Sequence, residues 1–506
     1  AVWRELERQL GGRPASEFVA ELNAMRGQVA ELTRQLREMP SAAERERVRE
    51  QVGQLEAERE ANQSLRADLA GLKTRLAARE IEAVALETLR AQTEAHKTRG
   101  ELLAGEVDRL RAEYGELTKK DEAKHPLVTL VELDAKHAQK RSPTRPLAGD
   151  LTLAHLAEDL QHKLVGAVPK RELHYSLRDV RSFLGGMAMS RLMLLQGISG
   201  TGKTSLPVAV ANALGGDHAV IEVQAGWRDR QDLLGFYNAF HRHFYASEFL
   251  QCLYRAGTPE FAERVSIVVL DEINLSRVEQ FFADFLSLFE KPEGDQHIAL
   301  MDRAVPSPPV LLKDGRRLPL PKNVWFVGTA NHDETTTAFA DKTYDRAHVM
   351  ELPRHTRIER RAQPPRFDAP VPIHDLTRLF GRAAETKKEA SQRAHAWFKS
   401  CEEVFDREFR LSWGNRLERD IERYVPVICE AGGTVGEAVD HLLATKVLRR
   451  VRDRYDVRTE GLERVKKHLE SRWVETGATL SEDARPSRSL ALIERELRAK
   501  QGGGGA

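Results

Sequence analysis

Eight consecutive residues, Gly197-Ile-Ser-Gly-Thr-Gly-Lys-Thr204, carry the strongest chemical signal in this sequence. Three glycines let a backbone curl until its N–H groups face an anion, and the positive end of a following helix adds to the attraction. Lys203 is spaced to reach the β- and γ-phosphates of a nucleotide, and the Thr204 hydroxyl to hold Mg²⁺. Ser199, Thr201 and Ser205 join Gly197, Gly200 and Gly202 as expected nucleotide contacts. A glycine-rich turn could match by chance. Here the apolar run from Arg191 to Gln196 leads into it and a helix pattern leaves from Thr204, which is the strand–turn–helix context the chemistry requires.

Two further strand ends supply the remaining chemistry. Val265-Ser-Ile-Val-Val-Leu270 is a β-type apolar run ending in Asp271-Glu272, roughly 70 residues past the phosphate loop. Asp271 is placed to bind Mg²⁺ through water and Glu272 to polarise an attacking water. Asn323-Val-Trp-Phe-Val-Gly-Thr-Ala-Asn331 reads as another buried strand, and Asn331 is placed to orient that water.

Positioning these groups requires an α/β core in which parallel strands carry their chemistry at the carboxyl edge. That core is expected over 171–355, with a helical lid over 356–475 and a tail over 476–506. Upstream lies different material. Leu22, Met25, Val29, Leu32, Leu36 and Met39 alternate three- and four-residue spacings, as do Leu65 to Leu76 and Leu103 to Leu117. Residues 1–120 therefore read as a coiled coil, broken near Pro40, and 121–170 as a proline-bearing linker with short helices. Net charge is +1, so no global field draws the chain to nucleic acid or to a membrane surface. The three cysteines are far apart and form no metal-ligand or disulfide pattern, which suits a cytoplasmic protein. The basic groups Arg354 to Arg366 and Arg449 to Arg454 read as solvated or intersubunit faces before they read as DNA contacts.

Phosphate loop, Asp-Glu strand end and Asn strand end in this order resemble the AAA+ ATPases. Finer features resemble the McrB branch, the motor subunit of modification-dependent restriction systems. These are the stretch Trp227 to Asn238, the extended segment Asp271 to Gln280, a hairpin turn at Lys313-Asp-Gly-Arg316, and Arg410-Leu-Ser-Trp-Gly-Asn-Arg416. The match covers roughly 175–455. The resemblance implies an AAA+ core with a C-terminal helical lid, assembled as a homo-oligomeric ring of six subunits in the family's manner. It implies that Arg346, in Ala340-Asp-Lys-Thr-Tyr-Asp-Arg-Ala-His348, is a finger reaching a neighbour's γ-phosphate, with Arg277 as a rival. Arg416 is implied to touch its own subunit's nucleotide, and Tyr175 to be a base contact. The strand end Thr329-Ala-Asn-His-Asp333 departs from the Met-Asn-Thr-Ala-Asp of the GTP-using member, which favours ATP over GTP. A single Arg346 after Asp345 also departs from the family's adjacent arginines.

Three functions compete at this level. One is a restriction motor driving a nuclease subunit of McrC type, with DNA reached through the assembly. A second is a MoxR-like ATPase that remodels protein complexes. A third, a chromosome-associated ATPase of SMC type, fits poorly, because there the coil separates the phosphate loop from the Asp-Glu motif. The chain shows no Asp…Glu-x-Lys nuclease arrangement, so any cutting is expected from another chain. What the coiled coil binds is open, and it is expected to act through contacts rather than chemistry.

Overall fold

The computed structural model describes residues 15–38, 125–169, 172–331, 339–353, 365–452, 454–475 and 485–502, with short stretches between 47 and 109. The chain divides into two compact units, Ala1–Glu122 and Ala123–Ala506. In the first, helix Ala15–Glu38 buries Leu22 and Val29 and half-buries Met25 and Leu32, the expected seam spacing. Val107 is exposed. The other expected seam residues from Leu65 onward lie outside the described residues.

Among the described residues of the second unit lie nine strands: β1 (Leu192–Gly197), β2 (Asp217–Glu222), β3 (Gly235–Asn238), β4 (His243–Ala246), β5 (Ser266–Asp271), β6 (His297–Ala299), β7 (Arg317–Pro319), β8 (Val324–Asn331) and β9 (Ala347–Glu351). Five form one parallel sheet in the order β2-β5-β8-β1-β9. Its inner strands are largely apolar because both faces are covered. Leu192, Leu194, Val268, Leu270 and Phe326 enter one core, where Phe249, Phe282 and Phe285 pack against Phe326. Their alternates Met193, Leu195, Ile267, Val269 and Val327 enter the other. That is the two-residue period of a strand read directly as two cores.

The register sets the chemistry. Gly197 lies opposite Asn331 and Glu222 opposite Asp271, so β1, β5 and β8 end together at one edge of the sheet.

Two small hairpins project from this frame. Helix Arg230–Leu234 is started by an Asp229/Asp232 capping box and leads into β3, which pairs antiparallel with β4. β6 pairs with β7 across a longer loop, at whose end Asp314 and Gly315, at φ of 52° and 65°, make the turn that closes the Lys313–Arg317 bridge. Positive φ at both residues is what a tight Asp-Gly turn demands, so the expected turn is present, while the paired strands lie farther apart in the chain than a tight hairpin would place them.

The segment expected as a linker is built into the core instead. Helix Val128–His137 sends Leu130 into the first core, while Leu147, Leu151 and helix Leu153–Leu164 fill the second. Leu153, Leu156, Leu160 and Leu164 recur at helical spacing and are fully buried, so the helix is held by packing rather than left as a hinge. The lid consists of helices Ile373–Thr386, Lys388–Phe409, Asn415–Glu430, Val435–Leu442 and Thr459–Glu475, most of them around a third core. The expected tail is also packed. Helix Ser487–Gly502 places Ile493 in that core, and Asp440 accepts from the Arg488 and Ser489 amides at 2.9 Å. No helix among the described residues is long and apolar enough to cross a membrane.

Candidate active site

The phosphate loop joins β1 to helix Ser205–Ala213. Gly197, Gly200 and Gly202 all take positive φ, conformations that side-chain-bearing residues rarely adopt. Lys203 folds back over the loop, donating to the Gly197 carbonyl at 3.0 Å and the Ile198 carbonyl at 2.8 Å. Its ammonium is thereby aimed across the concavity that the loop encloses.

Tyr175, expected against a nucleotide base, lies beneath the loop. It is 2% exposed and donates its hydroxyl to the Gly202 carbonyl at 2.9 Å. Burial raises its pKa, with the nearby Asp179 adding to the effect, so the hydroxyl stays a donor. A Cβ on Gly202 would sit 2.5 Å from that hydroxyl. Gly202 is therefore required for space as well as for φ.

Asp271 and Glu272 end β5 beside this loop. One carboxylate oxygen of Asp271 accepts from the Thr204 hydroxyl at 2.7 Å and from the Thr329 hydroxyl at 2.6 Å. Thr329 in turn accepts from the Glu272 amide at 3.0 Å. Glu272 sits at φ 51°, a left-handed conformation that costs energy for a residue with a side chain and needs surrounding structure to enforce it. Asn331 donates to the Glu272 carboxylate at 3.4 Å, and its carbonyl accepts from Asn274 at 3.1 Å. Together with Glu172 and Leu173 these groups line a cavity of about 450 Å³.

Thr204 and Asp271 present hydroxyl and carboxylate oxygens side by side, the hard donors that suit Mg²⁺. Among the described residues no group of three or more His, Cys, Asp or Glu could hold a metal.

The two arginines lie elsewhere. Arg346 ends helix Asp341–Arg346, and Arg416 begins helix Asn415–Glu430. Both reach Glu290, Arg346 through Nε at 3.3 Å and Arg416 at 2.6 Å. Arg416 also meets Asp345 at 3.5 Å, and Arg450 meets Asp345 at 2.7 Å. Glu290, Asp345, Arg346 and Arg416 line a second cavity of about 340 Å³, and neither Arg346 nor Arg416 lines the cavity beside the glycine loop. Arg416 is thus brought to Arg346 rather than to the loop of its own subunit. Arg277 is exposed and lines neither cavity. The basic run 449–454 is engaged within the chain: Arg449 stacks over Tyr344, and Arg454 pairs with Asp456. Arg354, Arg357, Arg360 and Arg361 lie outside the described residues.

Sequence reasoning named Asp271, Glu272 and Asn331 and overlooked Thr329, which joins Asp271 to the Glu272 amide. The available signal was its position two residues before Asn331, on the same face of one strand.

Comparison with known proteins finds no family model that matches the chain. A Lon protease from Roseiflexus castenholzii is 26% identical over 218 residues, 42% of this chain and 24% of the protease, so the chain spans about a quarter of that relative's length. Among solved structures, a putative ATPase from Cytophaga hutchinsonii aligns at TM-score 0.38 and 14% identity, covering 58% of this chain and 86% of its own. The SCCmec type IV Cch active helicase aligns at TM-score 0.20 and 12% identity, covering 69% and 52%.

Proposed function

We propose that this chain is a nucleoside triphosphatase of the AAA+ kind, the motor of a McrB-like assembly that uses hydrolysis to drive a nuclease partner. One observation carries the catalytic part. A single Asp271 oxygen gathers the Thr204 and Thr329 hydroxyls beside Lys203, while Glu272 is held next to it in a strained conformation and touched by Asn331.

In this reading Lys203 and the loop amides bind the β- and γ-phosphates, and Glu272 takes a proton from the attacking water. Asn331 orients Glu272 and that water. Thr204 and Asp271 would hold Mg²⁺, which neutralises charge on the phosphates. Loose phosphoryl transfer leaves charge on the γ-phosphoryl oxygens, and arginines delivered there stabilise it. Arg346 and Arg416 lie together and away from the loop, which favours a neighbour's nucleotide as their target and a ring of identical subunits as the active form. ATP is the proposed substrate, with GTP as its competitor. The McrC-type nuclease and access to DNA through the assembly rest on the sequence resemblance from Trp227 to Arg416.

Lys203→Ala should abolish nucleotide binding, and Glu272→Gln should bind nucleotide and assemble without turnover. Normal affinity in the first, or undiminished hydrolysis in the second, would remove the catalytic assignment. Purifying tagged Glu272→Gln with nucleotide should recover a nuclease subunit. Recovery of an adhesion-domain protein without a nuclease would move the assignment to a MoxR-like remodelling ATPase.

A further inference from the structure

Helix Asp341–Arg346 is only six residues long and ends on the arginine whose placement matters most. A helix end leaves carbonyls without intrahelical partners, and so short a helix has little stability of its own. Something else must hold it.

The holder is a lysine from the lid. Lys446 lies in a π-helical turn, Leu443–Val447, a geometry often found at functional sites. Its ammonium is almost wholly buried and donates to the carbonyls of Tyr344 at 3.1 Å, Asp345 at 3.1 Å and Ala347 at 2.7 Å. The carbonyl of Arg346 itself accepts from the Ser190 hydroxyl at 2.7 Å. Four successive carbonyls around Arg346 are therefore held by two side chains. A cation at this end also meets the negative pole of the helix. Asp420, another lid residue, lies 3.3 Å from the ammonium and offsets its buried charge.

Lys446 is not alone in this grip. Arg450 and Arg416 both pair with Asp345, and Arg449 covers the Tyr344 ring. Tyr344, Asp345 and Arg346 are thus each engaged by the lid or by Glu290.

We infer that Lys446 is a positioning residue for the transferred-phosphate chemistry, fastening the Arg346 helix to the lid so that finger and lid move as one piece. This rests on the reading that Arg346 serves a neighbouring subunit's nucleotide. On that reading the lid of one subunit sets the catalytic competence of the next. Lys446 touches no substrate and acts through Arg346.

The test is complementation between full-length variants. Lys446→Met keeps the aliphatic stem and removes the three donors. It should bind a fluorescent ATP analogue within about twofold of the unaltered protein, since its own phosphate loop is intact. Its hydrolysis alone should fall about ten- to hundredfold, the range expected when a catalytic group is displaced by about 1 Å. Mixed with Glu272→Gln, which cannot turn over but carries a well-placed finger, it should recover several-fold. A purely structural defect would not be repaired by a neighbour.

Arg346→Ala mixed with Glu272→Gln is the control for the underlying reading. Recovery there, with none for Lys446→Met, overturns the positioning role alone. Unchanged hydrolysis by Lys446→Met overturns it too. No recovery in the control overturns the trans finger itself. Should Lys446→Met fail to fold, Ser190→Ala removes one hydroxyl from the same turn, and a smaller loss with the same complementation is required.

Discussion

Lowering the pH should loosen the junction of core and lid, because two histidines are buried there as neutral rings. His348 on β9 and His441 on helix Val435–Leu442 are essentially inaccessible, and their rings stack with centroids 4.8 Å apart. Tyr424 stacks on His441 and meets His348 at a tilt. Arg488 donates to Nδ1 of His441 at 2.7 Å, which requires a lone pair there. Burial first, then the cations Lys446 and Arg488, hold His348 down to about pKa 3. Burial, then His348 and Arg488, holds His441 well below the ordinary value.

The folded pKa values therefore lie under the unfolded value of about 6.5. Between these limits the unfolded chain binds more protons, so stability is full above about pH 6.5 and is lost as pH falls. Moving from pH 7.5 to 5.5 costs about 1.4 kcal/mol for each histidine, and about 3 kcal/mol for the pair. Urea unfolding followed by tryptophan emission reads this directly, because Trp397 and Trp473 are buried in the lid core. His348→Phe should lose about half of that pH dependence, other groups cancelling between the two proteins. An identical loss in variant and unaltered protein would refute the claim that His348 is buried uncharged.

Two further predictions concern the phosphate site. Thr329→Val removes the hydroxyl shared by Asp271 and the Glu272 amide. One of those bonds goes to a carboxylate, so a stability loss of about 2 kcal/mol is expected, with turnover reduced at least about tenfold as Glu272 leaves its place. A folded variant with unchanged kcat in a steady-state assay would show that Glu272 is held by other means. Gly202→Ala should weaken nucleotide binding in a fluorescence titration, and adding Tyr175→Phe should restore only part of it. The clash with the hydroxyl is then gone while the positive φ remains, at a cost of about 1–2 kcal/mol. Full restoration would mean that space alone constrains the loop.

Much of the site was legible because its chemistry is local. Glycines at fixed offsets, a carboxylate pair closing an apolar run and an Asp-Gly turn are each short-range patterns with a short-range physical cause. The lid was legible only as amphipathic helices. Periodicity reports that a helix has a buried face and is silent on what covers it. Helix Leu153–Leu164 shows the consequence: its apolar stripe was visible, yet prolines nearby suggested a hinge, and packing against the sheet overrode them. The helix Ser487–Gly502 was underestimated for the same reason.

The sequence alone determined the glycine loop, the Asp-Glu and Asn strand ends and their order along the chain, since residue type and spacing decide those. Only the tertiary structure decided that Thr329 joins Asp271 to Glu272, that Tyr175 braces the loop, and that Arg416 meets Arg346 at Glu290. It alone set a lysine about 100 residues downstream under the finger helix and paired His348 with His441. Each depends on two segments far apart in the chain arriving at one buried point, and a buried polar group is affordable only where the whole fold delivers its partner.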